Sequence, residues 1–302
     1  MADPPFRGVL VPTLTPVAPG GGVDEDALRA HADWLVGRGV HGLYPCGSTG
    51  EGPRLTAGER RRVVAATCEA AAGRVPVLAG VWGANRAELL AEAEHAADCG
   101  AAAVAVTAPV YFRPGPDAIF EHFRAIADRC PVGVLVYDIP AFAVPVPVDV
   151  TARLAAECPN VVGIKDSSGD VSKMVRLCSR VLPDRPDFAV LTGWDAALLP
   201  MLAAGAHGGT NATANAAPGA VLAVHDAFAA GDTAAAQEAQ RRLTTLFDSL
   251  LGVGEFPDGF RLAAEARGAL PPSAARLPGG GGSEADRGAV RAALAAANLP
   301  PA

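Results

Sequence analysis

A lysine at the end of a buried strand is the residue of this sequence best suited to do chemistry. Residues 161–168 read Val-Val-Gly-Ile-Lys-Asp-Ser-Ser, an apolar, partly β-branched run followed by a polar tip. Of the 25 lysines and arginines, only Lys165 and Lys173 are lysines. Arginine cannot lose its proton or form an imine, whereas the lysine amine can act as a nucleophile. Lys165 is therefore either a catalytic amine or a strand-end lysine that extends to solvent.

Two further features could assist such an amine. Residues 47–50, Gly-Ser-Thr-Gly, combine a flexible backbone with two hydroxyls, and such a turn can direct N–H groups at a carboxylate. A plain turn is the alternative, with Thr56 as the N-cap of the next helix. Tyr137 ends the apolar run that precedes the lysine strand, so its hydroxyl is expected within reach of an adduct on Lys165, unless it is only a rim aromatic. Tyr44 lies mid-strand and is expected to pack.

Other chemistries find little support in the sequence. The six histidines are isolated, and the six cysteines form no Cys-x-x-Cys pair, so neither a metal site nor a Ser-His-Asp triad is predicted. No phosphate-binding Gly-x-x-x-x-Gly-Lys or paired glycosidase carboxylates are evident. Asp166 and Asp170 are expected to be helix caps.

The composition of the chain argues against some classes of binding partner. The formal charge is −7 with no basic run, which argues against nucleic acid and anionic membranes. No apolar stretch has the length of a membrane span, the N-terminus lacks signal-peptide features, and the scattered cysteines fit free thiols. We therefore expect a cytoplasmic protein.

The elements that must position these residues alternate regularly. Eight apolar β-like runs, from Gly8–Val17 to Gly208–Asn215, alternate with Ala-rich helical stretches at intervals of roughly 25–35 residues, which predicts an α/β fold, a (β/α)8 TIM barrel. A doubly wound open sheet is the alternative, but no Gly-x-Gly-x-x-Gly follows the first strand. After residue 231 only helices are predicted, near 233–251, 257–268 and 284–297. This pattern indicates a catalytic barrel over 1–231 and a C-terminal helical extension over 232–302, with a flexible Gly/Pro-rich loop at 277–282.

Catalytic groups of such barrels lie at the C-terminal ends of the strands. The polar residues of this apolar chain occur at those ends. They include Lys165, Tyr137, the 47–50 turn, the Gly193-Trp194-Asp195 end of strand seven and the Gly208-Gly209-Thr210 end of strand eight. This convergence favours Lys165 as a catalytic amine.

With these residues in place, the chain resembles the dihydrodipicolinate synthase and N-acetylneuraminate lyase family of Schiff-base aldolases. The resemblance rests on five motifs, in order and at family spacing, over nearly the whole chain. They are Gly47-Ser48-Thr49-Gly50-Glu51, Pro109-Val110-Tyr111, Tyr137-Asp138-Ile139-Pro140, Gly163 through Asp170 and Gly205 through Asn215.

The resemblance implies a mechanism and a set of roles. Lys165 would form an imine with pyruvate or another 2-oxo acid, and the imine would accept electrons while a carbon–carbon bond breaks or forms. Tyr137, Ser48 and Tyr111 would be the catalytic proton relay, with Tyr111 reaching in from a neighbouring subunit of a homotetramer. Thr49 and its amide would hold the 2-oxo acid carboxylate, and Gly47 of the same turn would be a further substrate-binding residue. No metal or organic cofactor is expected.

Departures from the family pattern bear on the second substrate, an aldehyde. Dihydrodipicolinate synthases carry an arginine that binds the carboxylate of the aldehyde, where this chain has Phe142. Losing that bidentate partner should weaken the binding of a carboxylate-bearing aldehyde by several kcal/mol. Sialic acid lyases share Asp195, but their next residue, a glutamate, is Ala196 here. Gly193, Asp195, Thr210 and Phe142 are the remaining predicted substrate-binding residues.

The sequence thus predicts a class I 2-oxo acid lyase, a pyruvate aldolase acting on a 4-hydroxy-2-oxo acid or a 2-keto-3-deoxy sugar acid. Three alternatives use the same lysine: 4-hydroxy-tetrahydrodipicolinate synthase, N-acetylneuraminate lyase and a 2-keto-3-deoxy acid dehydratase. A non-catalytic barrel that binds a 2-oxo acid is the alternative of another class.

Overall fold

Eight short strands alternate with helices in the computed structural model, which describes residues 4–274, 276 and 281–299. The strands are β1 (Gly8–Val11), β2 (Gly42–Leu43), β3 (Leu78–Gly80), β4 (Ala103–Thr107), β5 (Gly133–Asp138), β6 (Val161–Asp166), β7 (Ala189–Thr192) and β8 (Gly208–Thr210). The helices between and after the strands are α1 (Glu25–Gly37), α2 (Ala57–Ala71), α3 (Arg86–Asp98), α4 (Pro116–Ala127), α5 (Val148–Glu157), α6 (Val171–Val181), α7 (Leu198–Ala203) and α8 (Pro218–Ala229). Three further helices end the chain: α9 (Thr233–Leu251), α10 (Asp258–Ala266) and α11 (Glu284–Ala296).

The strands form one parallel sheet that closes on itself. Their order is β2-β1-β8-β7-β6-β5-β4-β3, and a parallel bridge between Leu43 and Val77 joins the two edges. Strands in sequence order with a helix after each are the arrangement of the TIM barrel. The prediction of a (β/α)8 barrel is confirmed, and the open-sheet alternative is wrong.

The strands are shorter than predicted at their carboxyl ends. The first run was expected to extend over Gly8–Val17 but ends as a strand at Val11. Pro12 follows at once, and proline has no N–H to donate to a ladder. The prediction for the eighth run, Gly208–Asn215, likewise exceeds the three-residue strand, because residues 212–215 form a 3-10 turn.

Of the three predicted caps, two are present and one is not. The Thr56 side chain accepts from the Glu59 amide in a capping box, and Asp170 accepts from the Lys173 amide at the start of α6, as expected. Asp166 is not a helix cap. It is the last residue of β6, and its carboxylate accepts from the Ser168 amide at 2.9 Å.

Side chains that alternate along the strands face either the barrel interior or the layer under the helices. The barrel interior is filled by inward side chains that include Leu10, Leu135, Leu191, Tyr44 and Tyr137. The intervening residues Val134, Val136 and Ile164 belong to the apolar layer under the helices. Because successive side chains of a strand point to opposite faces, Lys165 shares the inner face with its register partner Tyr137, while Asp138 and Asp166 face outward.

Helices α9, α10 and α11 pack against one another and against the segments that follow β1 and β8. Leu246, Phe247 and Phe260 share an apolar cluster with Leu14 and Ala212, which follow β1 and β8. The predicted helices are present, and the division into 1–231 and 232–302 stays a prediction. Of the predicted flexible loop, residues 277–280 lie outside the described residues. None of the described helices combines the length and apolar character needed to cross a membrane.

Candidate active site

The Lys165 amine lies between two aromatic rings inside the barrel. Its Nζ is 4.2 Å from the ring centroid of Tyr137 and 4.9 Å from that of Tyr44, and the side chain is only 5% exposed. The two rings meet edge to face with centroids 6.0 Å apart. A cation is attracted to an aromatic face at this range, so the two rings favour a positive charge on this nitrogen or on an imine formed from it.

Tyr137 is held beside the lysine by the sheet itself. Tyr137 of β5 and Lys165 of β6 are register partners in adjacent parallel strands. The Tyr137 hydroxyl lies 3.0 Å from Ser48 Oγ in the turn that follows β2. Three strand ends therefore bring together an amine and two hydroxyls, as the sequence predicts.

The Gly-Ser-Thr-Gly turn lies against the same rings. A Cβ on Gly47 would be 3.1 Å from Cζ and Cε1 of Tyr44, which places the Gly47 backbone on the hydroxyl end of that tyrosine. Thr49, two residues later, is buried. Gly47 thus lies against a ring that flanks Lys165, and carboxylate binding by this turn stays a prediction.

Gly193 gives the lysine its room. A Cβ at this position would be 2.6 Å from Cε of Lys165 and would collide with Oγ of Ser167. Only glycine leaves the path of the lysine side chain open here. The contribution of Gly193 to the site is therefore the room that it leaves for the lysine side chain.

A cavity of about 360 Å³ opens above these residues. Its wall is largely apolar and includes Ser48, Thr107, Trp82, Val110, Ile139, Phe142, Ala143 and Phe256. Phe142 is 62% exposed, so its ring forms part of the wall at the mouth. A cavity of this size suits a small organic substrate.

The charged groups of this cavity are paired with one another. Arg54 Nη1 donates to Glu51 at 2.8 Å, and Arg54 Nη2 donates to Glu255 at 2.8 Å. Glu51 and Arg54 line the cavity, so the Arg54 guanidinium of this wall is already engaged with two carboxylates.

Tyr111 projects from the molecule. It is 94% exposed on the loop after β4, has a φ of 74°, and meets the Phe112 ring edge to face at 5.0 Å. A positive φ is costly for a bulky residue, so the loop holds this ring outward at the expense of strain. In a single chain the predicted third relay member is therefore turned to the surface.

Asp195 and Thr210 are both buried, but they differ in their contacts. The Asp195 carboxylate accepts from Asn211 Nδ2 at 3.1 Å and from the Thr213 amide at 2.9 Å. Burial raises the pKa of Asp195, and these hydrogen bonds oppose the rise. The Thr210 hydroxyl forms no hydrogen bond to any residue that the structure describes. Asp195 thus braces the turn after β8, and substrate binding by Thr210 stays a prediction.

Two features of the site were not predicted from the sequence. Tyr44 packs as expected, but its ring also flanks the reactive amine, and its buried hydroxyl has no hydrogen-bond partner among the described residues. Lys173 forms ion pairs with Asp138 and with Asp166, the latter at 2.7 Å. The rarity of lysine was the one available signal for Lys173, whereas nothing in the sequence indicated where the Tyr44 ring would lie.

A larger cleft lies elsewhere. It has a volume of about 650 Å³ on the outside of the barrel, between α1, α8, α9 and the end of α11, and Trp34, Arg38 and Arg242 are among its lining residues. It contains none of the strand-end residues described above. The chemistry-bearing groups are therefore at the smaller cavity. The described residues contain no group of three or more His, Cys, Asp or Glu side chains that could hold a metal ion.

The fold and this site define a TIM-barrel enzyme of the lyase class, and comparison with known proteins gives its family. A model of the Dihydrodipicolinate synthetase family matches residues 5–297. The 4-hydroxy-tetrahydrodipicolinate synthase of Phenylobacterium zucineum is 40% identical over 99% of this chain and 100% of its own length. That of Sorangium cellulosum is 38% identical over 97% of each chain.

Solved structures of this family have the same fold as this chain. Dihydrodipicolinate synthase from Aquifex aeolicus superposes with a TM-score of 0.91 at 32% identity, covering 98% of this chain and 99% of that one. YagE, a prophage protein of the dihydrodipicolinic acid synthase family from E. coli K12 solved in complex with pyruvate, has a TM-score of 0.90 at 27% identity over 97% and 99% of the two chains.

This chain belongs to the dihydrodipicolinate synthetase family. It is an enzyme of the class I aldolase and lyase type, as predicted, and the alternative of a non-catalytic binding barrel is not supported. The family acts on pyruvate and an aldehyde.

Proposed function

We propose that this enzyme is an imine-forming pyruvate aldolase that cleaves or forms a 4-hydroxy-2-oxo acid whose aldehyde half carries no carboxylate. The observation that carries the proposal is the arrangement at the ends of β5 and β6, where Lys165 Nζ lies 4.2 Å from the ring centroid of Tyr137 and the hydroxyl of that tyrosine is tied to Ser48. A nucleophilic amine and a proton-transferring hydroxyl on one inner face are what this chemistry requires.

In the cleavage direction, the neutral Lys165 amine attacks the C2 ketone, and a proton from the Tyr137–Ser48 pair lets the ketone oxygen leave as water, which gives a protonated imine. The C3–C4 bond then breaks, and its electron pair passes into the imine to give an enamine. The C4 hydroxyl proton passes to the Tyr137–Ser48 pair as the aldehyde leaves. The enamine takes this proton from the pair at C3, and hydrolysis by water then releases pyruvate, regenerates the neutral amine and returns one proton to the Tyr137–Ser48 pair.

The surroundings support each of these steps. The faces of Tyr44 and Tyr137 would stabilise the cationic imine. The turn over residues 47–49 would offer its backbone amides and its side-chain hydroxyls to the carboxylate of the 2-oxo acid. Tyr111 would complete the proton relay when a second copy of the chain places it over the mouth, as in the homotetramer that the family resemblance implies. The apolar wall with Phe142 fits an uncharged aldehyde.

Borohydride reduction in the presence of pyruvate tests the imine. We expect a pyruvyl adduct on Lys165 alone, located by peptide mass mapping. Lys173 and the N-terminal amine serve as internal controls, because Lys173 is held as a cation by two carboxylates. An unmodified Lys165 under conditions where turnover continues would exclude the proposed mechanism.

A second candidate is 4-hydroxy-tetrahydrodipicolinate synthase itself, which the names of relatives at 36–40% identity favour. Phe142 separates the two candidates. If the acceptor is uncharged, Phe142→Arg should raise kcat/KM for a carboxylate-bearing aldehyde by about tenfold or more, because a bidentate guanidinium partner is gained.

Phe142→Leu is the matched control, since it removes the ring without adding a charge. Efficient turnover of the carboxylate-bearing aldehyde by the unmodified enzyme, with a loss in Phe142→Arg, would contradict the first candidate and support the second.

A further inference from the structure

Lys173 occupies a position that local rules do not favour. It lies in the first turn of α6, where the helix dipole disfavours a cation, and its amide is already used to cap the helix on Asp170. The chain otherwise uses arginine for almost all its positive charge. The reason for this lysine therefore lies in what its amine contacts.

The amine joins two buried carboxylates. Lys173 Nζ donates to Asp138 Oδ2 and lies 2.7 Å from Asp166 Oδ2. The remaining oxygens are also occupied, because Asp138 Oδ1 accepts from the Val146 amide at 3.1 Å and Asp166 Oδ1 accepts from the amide and hydroxyl of Ser168. Both carboxylates are fully buried, so the ammonium is what makes their charge tolerable there.

This cluster lies directly behind the reacting groups. Asp138 follows Tyr137, Asp166 follows Lys165, and the two aspartates are register partners just as Tyr137 and Lys165 are. Side-chain alternation puts one pair on the inner face and the other on the outer face of the same two strand ends. Any shift of β5 against β6 at this level would change both pairs together.

The cluster also fixes the loops that enclose the cavity. The bond from the Val146 amide to Asp138 closes the segment that contains Ile139, Phe142 and Ala143, all of which line the cavity. On the other strand, Ser168 fixes the start of the loop between β6 and α6.

We propose that Lys173 is a positioning residue of the reaction: by neutralising Asp138 and Asp166 it holds the ends of β5 and β6 so that Tyr137 and Lys165 stay aligned for proton transfer. The proposal rests on the proposed function and adds a residue that contacts neither substrate nor reacting atoms. Burial raises the pKa of Asp138 to about 6 against the opposing effect of Lys173, which shows how costly the carboxylate is even with its partner present.

Lys173→Met tests this role, since methionine keeps an unbranched chain and removes the charge. We expect kcat to fall by about tenfold to a hundredfold with KM for pyruvate within about threefold, because misalignment acts on the chemical step. In a Tyr137→Phe background the same change should cost no more than about threefold, since the hydroxyl being aligned is already gone.

Arg185→Met is the matched control. Arg185 pairs with Asp187 at 2.9 Å and donates to the Ala155 carbonyl, between α6 and β7 at the opposite end of the barrel. It should lower the melting temperature while leaving kcat unchanged. If Lys173→Met does not fold, Asp138→Asn, which keeps an acceptor for the Val146 amide, replaces it in the same cycle.

Three outcomes would overturn the proposal: an unchanged kcat in Lys173→Met, a loss in the double variant equal to the product of the two single losses, or an equal loss of kcat in Arg185→Met. Failure of the imine mechanism would instead appear as an absent borohydride adduct in the unmodified enzyme, so the two failures are distinguishable.

Discussion

The two lysines of this chain occupy opposite faces of one strand-to-helix unit, and they have opposite surroundings. Lys165 ends its strand on the inner face, between two tyrosine rings, and takes part in no ion pair among the described residues. Lys173 comes from the first turn of the next helix and meets two carboxylates behind the same strand. In the proposed mechanism the same side chain is thus a nucleophile on one face, and on the other it is a fixed charge.

The two amines differ in the groups that surround them in place of water. Burial by itself lowers the pKa of Lys173, but Asp166 and Asp138 raise it above its ordinary value, so this amine stays protonated through neutral pH. Lys165 instead lies against the faces of two tyrosine rings, which are neutral partners that can stabilise a cationic imine. The two amines thus differ in their partners, which are carboxylates for Lys173 and aromatic rings for Lys165.

Arginine at each position gives the strongest test of this comparison. Lys165→Arg should reduce turnover by more than about a thousandfold, because a guanidinium cannot form the imine. Lys173→Arg should retain activity within about tenfold, because the charge between the two carboxylates is preserved. Steady-state turnover and the melting temperature of both variants measure this. Similar losses in the two variants would mean that the lysines do not have separate roles.

The two tyrosines beside Lys165 allow a finer test on the inner face. Tyr137→Phe should slow turnover by about a hundredfold or more, since it removes a hydroxyl that is joined to Ser48 and would transfer protons. Tyr44→Phe should change turnover by less than about threefold, because it keeps the ring face beside the amine.

Tyr44→Phe should not lower the stability of the protein. Burial raises the pKa of Tyr44 well above its ordinary value, so its hydroxyl is neutral, and removing a buried hydroxyl without a partner should leave the free energy of unfolding unchanged or raise it by about 1 kcal/mol. Chemical denaturation of the two variants checks this. A large loss of turnover in Tyr44→Phe would show that this hydroxyl contacts the substrate.

Much of the architecture could be predicted from local patterns. Alternating apolar strands and Ala-rich helices fixed the number and order of elements, and capping residues such as Thr56 and Asp170 placed helix starts within a residue. Strand ends were less predictable. An apolar run continues into the turn that follows it, so the first run looks longer than the strand that ends before Pro12.

The site could be predicted only where a residue type was itself unusual. Lys165 stood out because lysine is rare here, and Tyr137 because it ends the preceding strand. Asp166 was expected to be a cap, since an aspartate after a strand often starts a turn, but its second oxygen contacts a lysine on the next helix. That contact joins residues of different elements, and no local pattern records it.

The sequence by itself determined which elements form, their order around the barrel and which strand carries the reactive amine, because these follow from periodicity and from side-chain chemistry. Only the tertiary structure decided that Tyr44 flanks that amine, that Tyr111 points outward and that Lys173 joins Asp138 to Asp166. Closure of the sheet is the physical reason. Strand register and side-chain alternation together assign each polar residue to the inner or the outer face, and the neighbours it meets there come from distant parts of the chain.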